Sequence, residues 1–386
     1  MKVVLSTIGK FHTFDLARQL HARGALSAVF TGYPSFKLRN EGLPASMIRS
    51  FAWVHGPYMG FPQLHKLGAG FIREMEFFDK ITFDRYSAMR LPACDVFVGL
   101  SGSALLTGRK VRQRGGRYVC DRGSTHIRAQ DALLRAEHAE WGVPWSGVDP
   151  RVIAREEAEY AEADLITVPS HFNRETFLAH GVPADKLAVL PYGVDLSRFQ
   201  PVGSPDPQTF DVLFVGGMSL RKGVQYLVQA WRQLQHPRKS LTFVGSPAPE
   251  LIALLRQRGL WPEEARVLGH MPQSQLKEVM SRSHVMVLPS IEEGLALVQA
   301  QSMACGCPVI ATTHTGSEDL FTDGAEGFIV PPRDADALAA RLQRLADDKV
   351  LRDAMSQAAL SKVRSIGGWD AYGVRAGDLY EGLVRQ

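Results

Sequence analysis

Short apolar runs alternate with amphipathic helical patterns along most of the chain. In the first half this pattern predicts strands at residues 3–7, 28–31, 95–99, 117–120 and 165–168, and helices at 13–23 and 103–114. In the second half it predicts strands at 210–215, 241–244, 266–268, 285–288 and 308–311, and helices at 224–235, 249–258, 274–281 and 295–304. Apolar strands that alternate with helices are typical of parallel sheets covered by helices on both faces.

A proline- and glycine-rich stretch at residues 200–207 separates the two halves and reads as a linker. We therefore predict an α/β protein with two Rossmann-like, doubly wound domains, 1–200 and 201–367. A last helix at 368–386 is expected to pack back on the first domain. Doubly wound sheets bind ligands beyond the carboxyl ends of their strands, so the two domains should face each other across a cleft. The segment 33–90 lacks one clean period and is expected to hold inserted loops and helices.

Composition supports two globular domains and excludes several classes. The chain has 386 residues with 45% hydrophobic and 22% charged residues, and its net charge of +4 does not call for a nucleic-acid partner. Its four cysteines form no metal-ligand pattern and suit a reducing cytoplasm. No apolar run approaches the roughly 20 residues that span a bilayer. We expect a soluble cytoplasmic protein, with peripheral contact at the inner face of the membrane as the alternative.

The most informative segment is residues 288–301, LPSIEEGLALVQAQ, which joins a predicted strand to a predicted helix. The start of such a helix presents unpaired N–H groups and a partial positive charge, which together suit a diphosphate. Glu293 stands just before it, where a carboxylate can accept hydrogen bonds from sugar hydroxyls. The alternative is an acidic first turn that only complements the helix dipole.

A second segment, residues 214–223, has the sequence FVGGMSLRKG and also follows a predicted strand. Gly216 and Gly217 permit close approach of a ligand to the backbone, and the basic pair Arg221 and Lys222 can neutralise phosphate charge. Alone, this combination is weak evidence, because the basic pair also fits a solvated loop.

Together, these segments resemble the donor-binding domain of the retaining family-4 glycosyltransferases (glycosyl transferases group 1), which have the GT-B fold. The resemblance runs from about residue 192 to residue 332 and includes the pieces at 268–271, 289–290 and 303–310. The amino-terminal half matches only loosely. The family implies a nucleoside-diphosphate sugar as co-substrate, no further cofactor, and an acceptor that is a glycan or a lipid-linked glycan.

The resemblance also implies roles for individual residues. Lys222 would stabilise the leaving diphosphate, with Arg221 beside it, and Glu293 would hold hydroxyls of the donor sugar. His126 would lie near the reacting sugar, although a loop histidine without a special role is the alternative. The remaining substrate-binding positions are Gly9 in the first loop, Gly216 and Gly217, a nucleobase site at Gly269, His270 and Met271, and the helix start at Gly294, Leu295, Ala296, Leu297 and Val298.

Two positions depart from the family pattern. Gly217 stands where the family often has arginine, and Arg221 is a candidate replacement from the same loop. Gln301 stands where a glutamate usually binds the ribose, which puts nucleotide affinity in doubt. With the helix starting near Leu295, Gln301 would lie about 9–10 Å from the diphosphate end. An ordinary helix residue is the alternative for Gln301.

No Asp-x-Asp pair stands where a metal-dependent transferase would need one, and the sequence at 334–336 instead starts a late helix. We therefore expect metal-independent transfer with retention, in glycan, polysaccharide or glycolipid assembly. Two alternatives stay open: a nucleotide-sugar epimerase of the same fold, and a non-catalytic nucleotide-sugar binding protein. Lys10 and His12 are candidates for contact with the acceptor or a phosphate, although a solvated loop is the favoured interpretation. The basic run at 109–114 is read as a solvated helix end, with a membrane contact as the minority interpretation.

Overall fold

The structure is a computed structural model that describes residues 1–60 and 68–385. Its amino-terminal half is built on a seven-stranded sheet in the order β3-β2-β1-β4-β5-β6-β7, and its described strand pairs are all parallel. The strands are β1 Val3–Thr7, β2 Leu26–Thr31, β3 Ile48–Ser50, β4 Val96–Leu100, β5 Arg117–Asp121, β6 Leu165–Val168 and β7 Leu187–Val189. The helices are α1 Thr13–Ala22, α2 His55–Gly60, α3 Ala69–Arg90, α4 Leu105–Gln113, α5 Ile127–Glu140, α6 Pro150–Glu162 and α7 His171–Ala179.

The carboxyl-terminal half repeats this plan on a six-stranded parallel sheet in the order β10-β9-β8-β11-β12-β13. Its strands are β8 Phe210–Val215, β9 Lys239–Val244, β10 Arg266–Val267, β11 Val285–Leu288, β12 Val309–Thr312 and β13 Gly327–Val330. Its helices are α8 Val224–Gln233, α9 Pro249–Gln257, α10 Gln273–Ser281, α11 Leu297–Ala304, α12 Ala335–Asp347 and α13 Lys349–Ile366, and α14 Trp369–Arg385 follows.

Both sheets are doubly wound, which confirms the predicted α/β fold. Strand order reverses direction between β1 and β4 in the first sheet and between β8 and β11 in the second. The central strands are buried on both faces, in keeping with their largely apolar sequences: β1, β6 and β11 have only buried residues. Because ligands of doubly wound sheets bind outside the carboxyl ends at these reversal points, the topology directs attention to the loops after β1, β4, β8 and β11.

The last helix returns to the first half of the molecule. An isolated parallel bridge joins Val194 to Gly368, immediately before α14 begins. Tyr372 and Tyr380 of α14 are 2% and 1% exposed, and they share a hydrophobic core with Leu16 and other residues of α1. The chain therefore crosses from the second sheet back to the first before it ends.

The segment 33–90 contains β3, α2 and the long α3, with residues 61–67 outside the described part. Its helix α3 escaped the periodicity analysis for a physical reason. Asp79, Asp84 and Ser87 occupy the buried face and are 0–3% exposed, whereas Phe78 is 54% exposed. Asp84 accepts hydrogen bonds from the backbone N–H groups of Leu106 and Thr107 at the start of α4, at 2.8 and 3.0 Å. Polar groups that satisfy a neighbouring helix start thus replace the usual apolar stripe.

Candidate active site

A cleft of about 1090 Å³ lies between the carboxyl ends of the two sheets, where the strand order of each reverses. Its carboxyl-terminal wall is formed by residues 215–217, Lys222, Gln273, Glu293 and 295–298. Its amino-terminal wall is formed by Lys10, Phe11, His12, Phe14, Asp15, Arg18, 40–42, Lys80, Leu100, Ser101, 122–124, Glu156, Tyr192, Asp195 and Arg198. Charged side chains of both signs line it, which suits a polar and ionic ligand rather than an apolar one.

Lys222 and Glu293 meet in this cleft as an ion pair, with the Lys222 Nζ against Glu293 Oε1. Their side chains are 17% and 10% exposed, so the pair is largely shielded but still open to a ligand. Lys222 is followed by Gly223, which has a φ of 69° and caps α8. A methyl group on Gly223 would lie 1.8 Å from the carbonyl oxygen of Pro289. Glycine is therefore needed there to hold the lysine loop against the loop after β11.

Glu292, which sequence reasoning passed over, lies at the contact between the two halves and is 0% exposed. Its Oε1 accepts hydrogen bonds from the backbone N–H and the Oγ1 of Thr125, at 3.1 and 2.9 Å, and from Ser124 Oγ. Gln130 Nε2 donates to its other oxygen at 3.1 Å. Burial alone would raise the pKa of Glu292, but the nearby Arg221 cation and these hydrogen bonds lower it to about 2. Glu292 is thus an ionised carboxylate whose hydrogen bonds join the two halves.

Arg221 is engaged by Glu292 rather than directed into the cleft. Its Nη1 donates to Glu292 Oε2 at 3.1 Å and lies 3.3 Å from the Glu292 carbonyl oxygen, and its Nη2 lies 3.8 Å from Glu293 Oε1. It is absent from the residues that line the cleft. The prediction that Arg221 neutralises the diphosphate directly is therefore not met by this geometry, because its charge compensates a buried carboxylate.

The two walls approach most closely at Gly294. A methyl group on this residue would lie 2.1 Å from the carbonyl oxygen of Gly123 in the opposite half. Ser170 Oγ donates to the Gly294 carbonyl oxygen at 3.0 Å, and Asn173 Nδ2 donates to the Glu293 carbonyl oxygen at 3.0 Å. Glycine at position 294 permits this contact and holds the loop backbone next to Glu293 in place.

The helix after Glu293 begins two residues later than the sequence indicated. Helix α11 starts at Leu297, so Leu295 and Ala296 belong to the preceding loop. All four positions from 295 to 298 nevertheless line the cleft, and no side chain caps the helix start. The N–H groups of Leu297 and Val298 are therefore available to an anion in the cleft, whereas that of Gln299 donates to the Ala296 carbonyl oxygen at 3.0 Å.

The carboxyl ends of three neighbouring strands meet beside this helix start. The backbone N–H of Gly216 donates to the Val244 carbonyl oxygen, and that of Gly245 donates to the Gly269 carbonyl oxygen, both at 2.8 Å. Gly216 and Gly217 line the cleft, whereas Gly269, His270 and Met271 lie outside its lining. His270 is exposed and Met271 packs partly against the core. The predicted nucleobase site is thus at the sheet edge next to the cleft and not within the cavity itself.

The amino-terminal wall carries a histidine–aspartate pair that the sequence did not indicate. His12 is 7% exposed, and its Nε2 lies 2.6 Å from Asp121 Oδ2 at the end of β5. Lys10, in the same loop, pairs with Glu41 at 2.5 Å. The expectation that Lys10 and His12 form a solvated loop is wrong for His12, because the histidine is buried against the wall. Partners 109 residues apart in sequence gave no local signal.

Comparison with known proteins shows which family has a sequence of this kind. Residues 10–198 match the sequence model described as Glycosyltransferase Family 4, and residues 198–362 match the one described as Glycosyl transferases group 1. Together, the two matches run from residue 10 to residue 362. The chain belongs to the family-4 glycosyltransferases.

Among relatives of this family, the chain is 31% identical over 266 residues to the glycosyltransferase WcaL of Escherichia coli, which covers 64% of this chain and 60% of WcaL. It is 26% identical over 402 residues to the D-inositol 3-phosphate glycosyltransferase of Thermomonospora curvata, which covers 95% of this chain and 89% of the relative. The chain thus spans about three fifths of the length of the WcaL proteins it matches.

Solved structures of similar fold cover nearly the whole chain. The sucrose-phosphate synthase of Thermosynechococcus elongatus superposes with a TM-score of 0.73 at 22% identity, over 99% of each chain. Anabaena Alr3699/HepE, in complex with UDP and glucose, superposes with a TM-score of 0.71 at 17% identity, over 99% of this chain and 100% of that one. At such identities the likeness establishes the GT-B fold.

His126, Gly9 and Gln301, which the family pattern also singled out, do not line the cleft either. His126 is 2% exposed, accepts a hydrogen bond from the backbone N–H of Arg128 and stacks on His180 at 4.4 Å. Burial and the neighbouring His180 lower its pKa to about 4, so it is a neutral part of the wall behind the cleft. The geometry therefore gives His126 a structural position and does not place it at the reacting sugar.

Gly9 and Gln301 do not face the cleft, and the reason differs between them. A methyl group on Gly9 would lie 2.5 Å from the ring of Phe11, so glycine lets that ring pack on the backbone. Gln301 is 8% exposed in α11, one turn after the helix start at Leu297. Neither side chain position is open to the cleft.

The basic side chains at the end of α4 form ion pairs and hydrogen bonds with neighbouring residues. Arg109 pairs with Glu162, Lys110 Nζ donates to the Ala88 carbonyl oxygen at 2.6 Å, and Arg112 lies 3.5 Å from Asp164. These contacts hold the basic side chains against the protein, and a membrane contact at this place stays a prediction. Across residues 1–60 and 68–385, no helix has both the length and the apolar character to cross a membrane. The same residues contain no group of three or more His, Cys, Asp or Glu side chains arranged to hold a metal ion.

Proposed function

We propose that this protein is a glycosyltransferase that moves a sugar from a nucleoside-diphosphate sugar to an acceptor hydroxyl, with retention of anomeric configuration and without a metal ion. The observation that carries the proposal is the Lys222–Glu293 pair beside the uncapped start of α11, at the strand reversal of the second sheet. Cation, carboxylate and free N–H groups face one cavity, and each matches a different part of such a donor.

The donor can lie along this wall in one orientation. The diphosphate lies against the start of α11 and Lys222 Nζ, because both favour negative charge. Glu293 then accepts hydrogen bonds from hydroxyls of the transferred sugar. The nucleoside extends over Gly216 and Gly217 towards the edge formed by Gly245 and Gly269, where the backbones approach closely. UDP in the structurally similar Alr3699/HepE supports a uridine nucleotide as the first candidate to test.

In the reaction, the bond between the anomeric carbon and the phosphate oxygen breaks, and its electron pair leaves with the nucleoside diphosphate. The acceptor oxygen forms its bond on the same face of the sugar, and the departing phosphate takes up the acceptor proton. Lys222 and the helix start stabilise the charge that develops on the leaving group, which is the contribution a metal ion makes in other transferases. Arg221 supports this indirectly by holding Glu292 ionised between the two halves.

The acceptor is proposed to be a glycan or a lipid-linked glycan, in keeping with glycan, polysaccharide or glycolipid assembly among transferases of this type. The amino-terminal wall, with Phe11 half exposed between Lys10 and His12, would receive it. Action in the cytoplasm, at the inner face of the membrane for a lipid-linked acceptor, belongs to the same proposal.

Thermal-shift measurements against uridine, guanosine and adenosine diphosphates and their sugars test the donor. A true ligand at a hundred times its Kd should stabilise the protein by about 2.7 kcal/mol. The stabilising nucleotide sugar is then incubated with and without acceptor. Release of the nucleoside diphosphate supports transfer, whereas isomerisation of the intact nucleotide sugar would indicate an epimerase. Binding with neither release nor isomerisation would indicate a non-catalytic binding protein.

Stereochemistry and metal dependence are tested on the same material. An early NMR spectrum of the product should show the anomer of the donor, and the inverted anomer would exclude the same-face mechanism. Activity should survive EDTA, since Lys222 and backbone N–H groups carry the proposed charge stabilisation. Loss in EDTA that magnesium or manganese restores would overturn the metal-free part of the proposal.

A further inference from the structure

The pair formed by His12 and Asp121 is built into the amino-terminal wall of the cleft. His12 stands directly before α1, and its ring packs on Tyr192 with the ring centres 4.2 Å apart. Asp121 ends β5, is 7% exposed, and accepts a second hydrogen bond from Thr167 Oγ1 at 3.0 Å. Both residues are therefore held rigidly by core elements, at the reversal point of the first sheet.

This arrangement fixes which nitrogen of His12 is free. Nε2 lies 2.6 Å from an Asp121 oxygen, so in the neutral ring Nε2 carries the proton and donates it to the carboxylate. Nδ1 is then an acceptor. His12 does not use it to cap α1, and in the described part of the chain Nδ1 has no hydrogen-bond partner. A buried histidine in a cleft wall thus retains one unused acceptor atom.

The ring lies next to the place where the donor sugar is proposed to bind. A methyl group on Gly123 would lie 3.9 Å from His12 Cε1, and Gly123 is the residue whose carbonyl oxygen meets Gly294. Gly294 follows Glu293, the proposed ligand of the donor sugar. Gly123 is thus next to both His12 and the carboxyl-terminal wall, so the His12 ring lies on the amino-terminal side of the place proposed for the donor sugar.

We propose that His12 Nδ1 accepts the hydrogen bond of the attacking hydroxyl and positions it for transfer, with Asp121 fixing the tautomer that makes this possible. The proposal rests on the proposed glycosyltransferase function and adds the acceptor-positioning residue to it. The proton still passes to the departing phosphate, so His12 orients the hydroxyl without consuming its proton. In donor hydrolysis the same atom orients a water molecule.

The proposed role of His12 predicts how turnover depends on pH. A second proton on His12 would occupy Nδ1 and remove the acceptor, so turnover should fall as pH decreases. Charged and titratable groups near the ring include Asp121 from β5, the buried Arg122 next to it, Asp15 one turn along α1, and Tyr192 stacked on the ring, and Tyr372 from α14 contacts Tyr192. Burial raises the pKa of both tyrosines well above its usual value, so they are neutral.

Two substitutions separate the two nitrogens. In His12→Asn the amide oxygen can occupy the place of Nδ1, whereas the contact with Asp121 is lost. In His12→Gln the amide group can keep the contact with Asp121, whereas the acceptor at Nδ1 is lost. Asp121→Asn keeps the histidine but offers it a donor, which forces the proton onto Nδ1. His21→Asn and His21→Gln, near the end of the same helix, serve as matched controls.

Each variant is assayed for hydrolysis of the nucleotide sugar identified by thermal shift, from about pH 8 to about pH 5, where histidine changes charge. We expect His12→Gln and Asp121→Asn to lower kcat by about 10–100-fold, the scale of a misplaced reactant. His12→Asn should retain most of kcat and lose the decline at low pH. Donor KM, the Kd for the nucleoside diphosphate and the melting temperature should change little in all three variants.

Three outcomes would overturn the proposal. If His12→Gln keeps full activity and His12→Asn loses it, the pair only supports the wall. If the variants raise donor KM at unchanged kcat, His12 holds the donor sugar instead. If the decline at low pH persists in His12→Asn, another group causes it. Failure of the wild-type protein to turn over any nucleotide sugar would instead defeat the proposed function.

Discussion

The two walls of the cleft are built in different ways from similar sheets. In the carboxyl-terminal wall, Lys222 and Glu293 each lie in a short loop directly after a central strand, and glycines at 223 and 294 hold these loops in place. In the amino-terminal wall, His12 meets Asp121 and Lys10 meets Glu41, across separations of 109 and 31 residues. The carboxyl-terminal wall, which is proposed to bind the donor and is called the donor wall below, is thus built from continuous sequence motifs. The amino-terminal wall, which is proposed to bind the acceptor, forms only when the fold brings distant residues together.

This difference has a functional meaning. A diphosphate demands the same charge and the same free N–H groups whatever sugar it carries, so one loop–helix design serves many donors. Acceptors differ in shape and in the position of their reactive hydroxyl, and they are met by side chains from several elements that can change independently.

Lys222→Ala should have the largest effect, because it removes the charge that faces the leaving diphosphate. We expect a loss of about 2.7–4 kcal/mol in transition-state stabilisation, on the scale of a lost oxyanion-hole donor. Stability should change little, because Lys222 lies in a cleft loop and Arg221 Nη2, 3.8 Å from Glu293 Oε1, still compensates that carboxylate. Steady-state kinetics and thermal melting measure the two quantities. Lys349→Ala, which removes an exposed ion pair, is the matched control.

A small effect of Lys222→Ala on turnover would break the comparison between the walls. It would mean that the donor wall does not supply the dominant electrostatic contribution. The lysine would then be no more than a solvated loop residue beside the cavity.

Glu292→Gln tests the tie that holds the two walls together. The folded-state pKa of about 2 lies below the ordinary 4.5, so the carboxylate stabilises the fold above about pH 4.5 and loses this effect as pH falls towards 2. The difference corresponds to roughly 3 kcal/mol, since one pKa unit is about 1.4 kcal/mol. The amide introduced by the substitution would also place a donor against Arg221, which cannot accept a hydrogen bond.

Thermal denaturation across this pH range measures the effect. The variant should be less stable than the wild type at neutral pH, and the two should converge in acid. Glu381→Gln, in an exposed pair on α14, should show no such convergence. A constant difference between Glu292→Gln and wild type at all pH values would show that the ionised state of Glu292 does not hold the halves.

What the sequence predicted follows the same division. Strands β6, β8 and β11 were predicted to the residue because their runs are largely apolar and clearly bounded. The short edge strands β3 and β7 were missed because three residues carry little pattern. Lys222 and Glu293 were found from their motifs, whereas Glu292 and the His12–Asp121 pair depend on partners from the opposite half or a distant strand.

Gly217→Arg should strengthen the donor wall by a smaller amount. Gly217 lines the cleft, and a Cβ atom added there would meet no atom within 4 Å. An added guanidinium should improve binding of the nucleoside diphosphate by about 1 kcal/mol, the scale of one hydrogen bond. Calorimetry at low and high salt should show the gain fading with salt. Gly217→Ala controls for the loss of backbone freedom, and equal affinities of both variants would contradict a phosphate contact at this position.

Gln301→Glu should have the smallest effect on donor affinity. It tests how far along α11 the donor wall extends. Because α11 begins at Leu297, Gln301 lies about 6 Å along the helix from its start, less than the separation first expected. The side chain is 8% exposed and lies outside the cleft lining, so a ribose contact would be at the margin of the site. We expect diphosphate affinity to change by about 0.5 kcal/mol, the low end for one hydrogen bond. Calorimetry with Gln257→Glu, on exposed α9, as the control measures it. No change in Gln301→Glu and Gln301→Ala would remove Gln301 from the donor site, whereas a change above about 1.5 kcal/mol would extend the donor wall beyond the present cleft.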